Sequence, residues 1–221
     1  MSRTGSGPTT RSRRTLRREE ILGAAADLFA RRGFHGVSIA DIGAAVGMSG
    51  PALYRHFPSK EAVLSEMLLR ISQQLLDEGS RRAVAAPDAP AALQALLRWH
   101  IEFALSQPAL ITVQFRELGN VPQPAQRQIR RLQRLYVEEW VTVLSELVPG
   151  VPQATLRTAT HAAFGLLNST PHSASELSTG AMADLLYAMA QAALRAVGTP
   201  GPADARPCSP AAGGPRPGAR P

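Results

Sequence analysis

Apolar residues recur three and four positions apart along most of the chain, the spacing that puts one side chain per turn on a single helix face. In the segment 16–32, Ile21, Ala25, Leu28 and Phe29 share such a face, and Gly33 closes the helix. The GFHGVS turn, 33–38, has two glycines and carries His35 as a loop side chain. Ile39, Ile42, Ala45 and Val46 then predict a short, half-buried helix with Ser38 as its N-cap. Gly47 supplies left-handed backbone, Met48 plugs the gap, and Ser49 is placed to cap a second helix opened by Pro51. Leu53 and Phe57, four apart, anchor that second helix, and Pro58 ends it. Stopping, turning and restarting within about three residues is what a helix-turn-helix requires.

After Ser59, a further N-cap, the residues Val63, Leu64, Met67, Leu68, Ile71 and Leu75 predict a long helix ending near Gly79. The APDAP break, 86–90, starts a helix with Leu93, Leu96, Leu97, His100, Ile101 and Phe103, stopped near Pro108. A short apolar helix follows over 110–118, carrying Arg116 and Glu117. Over 125–147, Ile129, Leu132, Tyr136, Trp140, Val143 and Leu147 share a face, with Arg127, Arg130, Arg131 and Arg134 opposite. That arginine stripe is either a solvated face or a hold for an anionic ligand tail at a pocket mouth. Two alanine-rich helices, from 151 or 152 to about 167 and over 174–197, complete the pattern. Their small side chains allow close approach, as in a four-helix interface between two copies; the rival is an interior hairpin of a monomer.

The expected fold is therefore all-α: an N-terminal three-helix domain with the helix-turn-helix over 16–60, and a C-terminal helical domain over 61–197. A disordered basic arm, 1–15, and a disordered Pro/Gly-rich tail, 198–221, flank them. Composition agrees, with 44% hydrophobic and only 5% aromatic residues in 221. Charge sharpens the picture. Of a net +7, eleven Lys/Arg against six Asp/Glu lie before Ile71, so positive charge gathers on the helix-turn-helix side. The arm either enters a minor groove or adds only diffuse attraction. Cys208 stands alone, excluding an intrachain disulfide. Neither a signal sequence nor a membrane-spanning run is legible, and a cytoplasmic protein is expected.

Motifs for phosphate-loop, dinucleotide, zinc-protease and serine-hydrolase chemistry are missing, the GMSG turn at 47–50 falling one residue short of G-x-S-x-G. His161 and His172 are too far apart for an i, i+4 metal pair, and Glu138 and Glu139, being adjacent, point apart. No enzyme, cofactor or metal is expected.

The second short helix offers a different chemistry. Gly50, Pro51 and Ala52 keep its start slim, and Tyr54, Arg55 and His56 are left as donors to phosphate, with only Arg55 carrying the fork that reads guanine. Ser49 at the cap and Lys60 in the next first turn complete the DNA-facing set. Laid out this way, residues 17–69 resemble the DNA-binding half of the TetR/AcrR family of transcriptional regulators. The most specific part is ALYRHFPSKEAVL, 52–64. The resemblance implies that Gly50, Pro51, Ala52 and Arg55 face bases while Ser38, Tyr54, His56 and Lys60 hold phosphates. Many members carry arginine where this chain has Ala40 beside Asp41, which leaves Arg55 more of the specificity.

In the C-terminal part, Trp99, His100, Phe103, Phe115, Arg116, Tyr136, Trp140, His161, Phe164 and Asn168 mix apolar walls with a few polar groups, as small-molecule pockets do. The resemblance implies a homodimer through the last two helices and an effector that shifts it off DNA. The expected function is a ligand-responsive repressor on a palindromic operator. Apolar walls and the arginine stripe favour a lipophilic effector with an acidic end, an acyl-CoA or fatty acid. The alternative is a non-specific nucleic-acid-binding protein using its basic tails.

Overall fold

A computed structural model describes residues 10–172 and 177–198, and every regular element in them is helical. The helices are α1 (Thr10–Arg32), α2 (Ile39–Ala45), α3 (Gly50–Tyr54), α4 (Lys60–Val84), α5 (Ala89–Ser106), α6 (Pro108–Glu117), α7 (Gln123–Leu147), α8 (Gln153–Leu167) and α9 (Thr179–Arg195). Among the described residues none of them is long and apolar enough to cross a membrane.

Helix α1 begins at Thr10 rather than at residue 16, so it reaches back into the segment expected as an arm; residues 1–9 lie outside the described residues, as do 199–221 with Cys208. Ile21, Ala25 and Phe29 are fully buried as their spacing predicts, and they pack with Ile42, Leu53, Phe57, Val63 and Leu64 to make the small N-terminal core. Helix α2 is capped by a reciprocal box: Ser38 accepts from the Asp41 backbone N–H, and the Asp41 carboxylate accepts from the Ser38 backbone N–H. The Ser38 hydroxyl, donating to the Asp41 carboxylate at 2.6 Å, and then the Ser38 backbone N–H hold that carboxyl below its usual range. Ala45, expected on the apolar face, is exposed. Gly47 takes φ +64°, the left-handed turn that separates α2 from α3.

Helix α4 leaves this core and runs five residues past Gly79, to Val84, between α5 and α7. At Gly79 the absence of a side chain lets α7 come close to α4: a Cβ there would sit 2.6 Å from the Tyr136 ring. Its missing side chain thus seats Tyr136 against α4. The same buried cluster continues through Leu96, Leu97, Ile129, Trp140, Leu144 and Leu167, where α5, α7 and α8 meet.

Candidate nucleic-acid interface and ligand cavity

Two apolar anchors set the presentation of α3. Leu53 and Phe57 are buried, so Tyr54 and Arg55, on the other side, stand in solvent. Ser49 is also exposed and makes no side-chain cap, which corrects its expected capping role and leaves its hydroxyl uncommitted; the regular helix ends at Tyr54 with Arg55 as C-cap. Among the described residues, the Arg55 guanidinium is in no hydrogen bond or ion pair. Gly50 and Ala52 are partly covered, and Pro51 is exposed.

Three other cations near this face are engaged. Arg18 donates to the His56 carbonyl at 2.7 Å, pairs with Glu66 on α4, and lies 4.2 Å over the Phe57 ring. Arg17 donates to the Val46 carbonyl at 2.7 Å. Burial opposes ionisation of Glu66, but Arg18 and Arg70 beside it more than offset that and keep its carboxyl below the usual range. Arg17 thus ties the end of α2, and Arg18 the residues just after α3, to α1, with Arg18 also reaching α4 through Glu66. Sequence reasoning missed Arg17 and Arg18 as structural groups, since they follow directly on the basic arm expected over 1–15.

His56 and Lys60 also depart from expectation in their surroundings. His56 Nδ1 is buried without a partner, and burial first, then Arg18 and its neighbouring arginines, push the imidazole below its ordinary value. Only its other nitrogen remains for phosphate. Lys60 Nζ donates to the carbonyls of Phe34 and Val37, each at 2.9 Å, and sits 4.3 Å over the Phe34 ring. An ammonium has three hydrogens, so one is left for a phosphate. Lys60→Ala should therefore lower the unfolding free energy by about 2 kcal/mol in urea titration, because two charged hydrogen bonds go with it. Unchanged stability together with weaker DNA binding would instead return Lys60 to a pure phosphate role.

The C-terminal helices enclose a cavity of about 290 Å³. Leu75, Phe103, Ile111, Val137 and Phe164 form apolar wall, and Phe115, largely exposed, stands at its edge. Of the ten residues expected to line it, His100, Phe103, Phe115, Tyr136, His161, Phe164 and Asn168 do; Ser72, Gln114 and Gln133 join them from positions that periodicity alone would not single out. Trp99, Trp140 and Arg116 do not. Trp99 faces another cleft beside α1, and its indole donates to the Leu75 carbonyl at 3.3 Å. Trp140 is fully buried core, set edge-on to Tyr136 and Phe164. Arg116 reaches the other way, donating to the Ala30 carbonyl at the end of α1 at 3.3 Å. The arginine stripe of α7 is exposed and no member lines the cavity, so its expected hold on an anionic tail is not supported there.

His100 is the centre of the cavity's polar wall. It stacks on Phe164 with centroids 4.6 Å apart and lies parallel to Tyr136 on α7. Its Nε2 bonds Asn168 Oδ1 at 3.1 Å, and its Nδ1 meets the Tyr136 hydroxyl at 3.3 Å. Since Asn168 Oδ1 only accepts, Nε2 carries the hydrogen and Nδ1 accepts from the phenol. Burial holds His100 neutral, its pKa pushed down to about 4 against the raising effect of Asn168, and pushes the Tyr136 hydroxyl up.

Comparison with known proteins adds the family. The chain matches "Bacterial regulatory proteins, tetR family" over residues 21–67 and "Tetracyclin repressor-like, C-terminal domain" over residues 86–172. It is 28% identical over 141 residues, 64% of this chain and 66% of the other, to the HTH-type transcriptional repressor KstR2 of Rhodococcus jostii (strain RHA1). It thus spans just under two thirds of that repressor's length. Among solved structures, a TetR-family transcriptional regulator from Bordetella parapertussis 12822 superposes with a TM-score of 0.71 at 25% identity, covering 78% of this chain and 93% of that one. AibR, solved in complex with isovaleryl coenzyme A and operator DNA, gives 0.65 at 20% identity over 78% and 97%. With its DNA-binding and C-terminal halves both matched, in that order, the chain belongs to the TetR family of transcriptional regulators.

Proposed function

We propose that the chain acts as a homodimeric repressor whose two α3 helices enter successive major grooves of a palindromic operator, and that a small lipophilic effector in the cavity releases it. Arg55 reads a base edge. Ser49, Tyr54 and the remaining hydrogens of His56 and Lys60 serve phosphates, whereas Ser38, expected among them, gives both its hydroxyl and its backbone hydrogen to the Asp41 carboxylate. Dimerisation uses α8 and α9, whose outward faces are apolar and small: Ala154, Ala162 and Gly165 on the first, Ala188, Ala192 and the half-exposed Leu185 and Met189 on the second. Such an assembly would work in the cytoplasm, where DNA is.

The observation that carries this reading is the double engagement of α6. Gln114 and Phe115 line the cavity, while the next residue, Arg116, holds the end of α1, and buried Glu117 lies 3.6 Å from where a Cβ on Gly33 would be. A ligand that moves α6 therefore moves a contact with the DNA-binding domain, and it shifts the equilibrium only by its preference for one arrangement. An acyl thioester is the effector type retained from the sequence, and AibR, alike in fold, was solved with one.

Sedimentation of the full chain, with footprinting on its own promoter region, tests the proposal. A dimer protecting two half-sites about one helical turn apart, or a multiple of that, is expected. A single copy with equal affinity for random duplexes would overturn it, and binding that survives loss of α3 but vanishes on tail deletion would favour non-specific coating.

A further inference from the structure

The chemistry of the cavity wall goes beyond lipophilic. Among the described residues, no lysine, arginine, aspartate or glutamate lines it, and the two titratable rings deepest in it, His100 and Tyr136, are buried and hydrogen-bonded to one another. Arg116, next to the lining residue Phe115, is spent on Ala30. A bare ammonium entering this space would meet no carboxylate, and a bare carboxylate no fixed cation, only the imidazole of the exposed His161, so either loses water for little return.

The hydrogen-bond relay has a direction. The Tyr136 hydroxyl donates to His100 Nδ1, and His100 Nε2–H donates to Asn168 Oδ1, which leaves the Asn168 amide nitrogen, a donor, uncommitted on a residue that lines the cavity. A second group points the same way independently. Ser72 on α4 also lines the cavity, is 3% exposed, and its hydroxyl oxygen is buried with no partner. A buried hydroxyl without a partner is costly, and a ligand acceptor would relieve it.

We propose that the cavity takes an uncharged lipophile bearing a carbonyl oxygen, received by the neutral donors Asn168 and Ser72, and that it excludes the free carboxylate of the same chain length. This rests on the cavity being the effector site of the proposed repressor. Ketones and thioesters share the required chemistry; a free fatty acid does not.

The test is calorimetric titration of the full-length protein near neutral pH with three probes of equal chain length: 2-octanone, S-methyl octanethioate and octanoate. Either or both of the carbonyl compounds should bind at least tenfold more tightly than octanoate, and which of the two does so separates the ketone and thioester sources. Asn168→Ala and Ser72→Ala should each weaken carbonyl binding several-fold without strengthening octanoate. Octanoate binding as tightly as the carbonyl compounds overturns the proposal, as does failure of both carbonyl compounds to bind. So does unchanged carbonyl affinity in both variants. The comparison on the unmodified protein holds even where a variant fails to fold. A mobility shift with the tighter probe is read separately: binding without DNA release sinks the effector role and leaves the cavity's chemistry standing.

Discussion

Arg55→Ala should cost about 1–3 kcal/mol of affinity for the operator and flatten the preference between operator and scrambled duplex. The expectation comes from contrast with its neighbours. Arg17 and Arg18 are consumed by the carbonyls of Val46 and His56 and by Glu20 and Glu66, and Lys60 gives two of its three hydrogens to Phe34 and Val37. Arg55 alone of these four is exposed and unengaged among the described residues, beside a slim helix start of Gly50, Pro51 and Ala52. Its planar fork matches the two acceptors of guanine in the major groove, which an ammonium meets only as a point charge. Arg55→Lys should therefore keep most of the salt dependence while losing discrimination. Titrations on both duplexes across a salt series measure this. Equal loss on operator and scramble would make Arg55 a phosphate contact and leave base reading to another group.

Much of the framework was legible because it is written at short range. Leu53 with Phe57, and Ile21 with Ala25, Leu28 and Phe29, fall four or fewer positions apart, and the helix period alone sends them inward. The reach of α1 back to Thr10 was not legible, since that first stretch is polar and offers no apolar face to mark a helix. Roles set by distant partners were also hidden. Lys60 bonds carbonyls 23 and 26 positions away, Arg18 binds groups 38 and 48 away, and Arg116 one 86 away. Charge at a helix surface looks the same in sequence whether it faces water, phosphate or a carbonyl. The cavity was half legible for the same reason: aromatic residues marked the region, but only packing separates Trp99 and Trp140, turned into core, from Phe164 and Tyr136 at the wall. Ser72, Gln114 and Gln133 are short or flexible polar side chains on helices, with nothing in their spacing to distinguish them from surface.

Acidification should destabilise the C-terminal domain through His100, by about 3 kcal/mol in full. The ring is 2% exposed, its two nitrogens are satisfied only in the neutral form, and its pKa falls from 6.5 to about 4. Protonation would put a hydrogen on Nδ1, where the Tyr136 hydroxyl donates, and would bury a charge with no carboxylate in the cavity wall. The sign follows from proton counting. Above about pH 6.5 neither folded nor unfolded histidine binds a proton and the residue is silent. Between 6.5 and 4 only the unfolded chain is protonated, so folding loses stability as pH falls, at about 1.4 kcal/mol per unit; below 4 the loss is complete. Carboxylates held low by their partners, such as Glu78 at about 2 between Arg81 and Arg82, also lose stability on acidification. The useful measurement is therefore a difference. Urea unfolding of the natural chain and of His100→Gln, which keeps a neutral donor and acceptor, should show the natural chain losing roughly 2–3 kcal/mol more between pH 7 and pH 4.5. Parallel losses in the two proteins would mean that His100 is not the buried neutral ring on which the polar wall of the cavity depends.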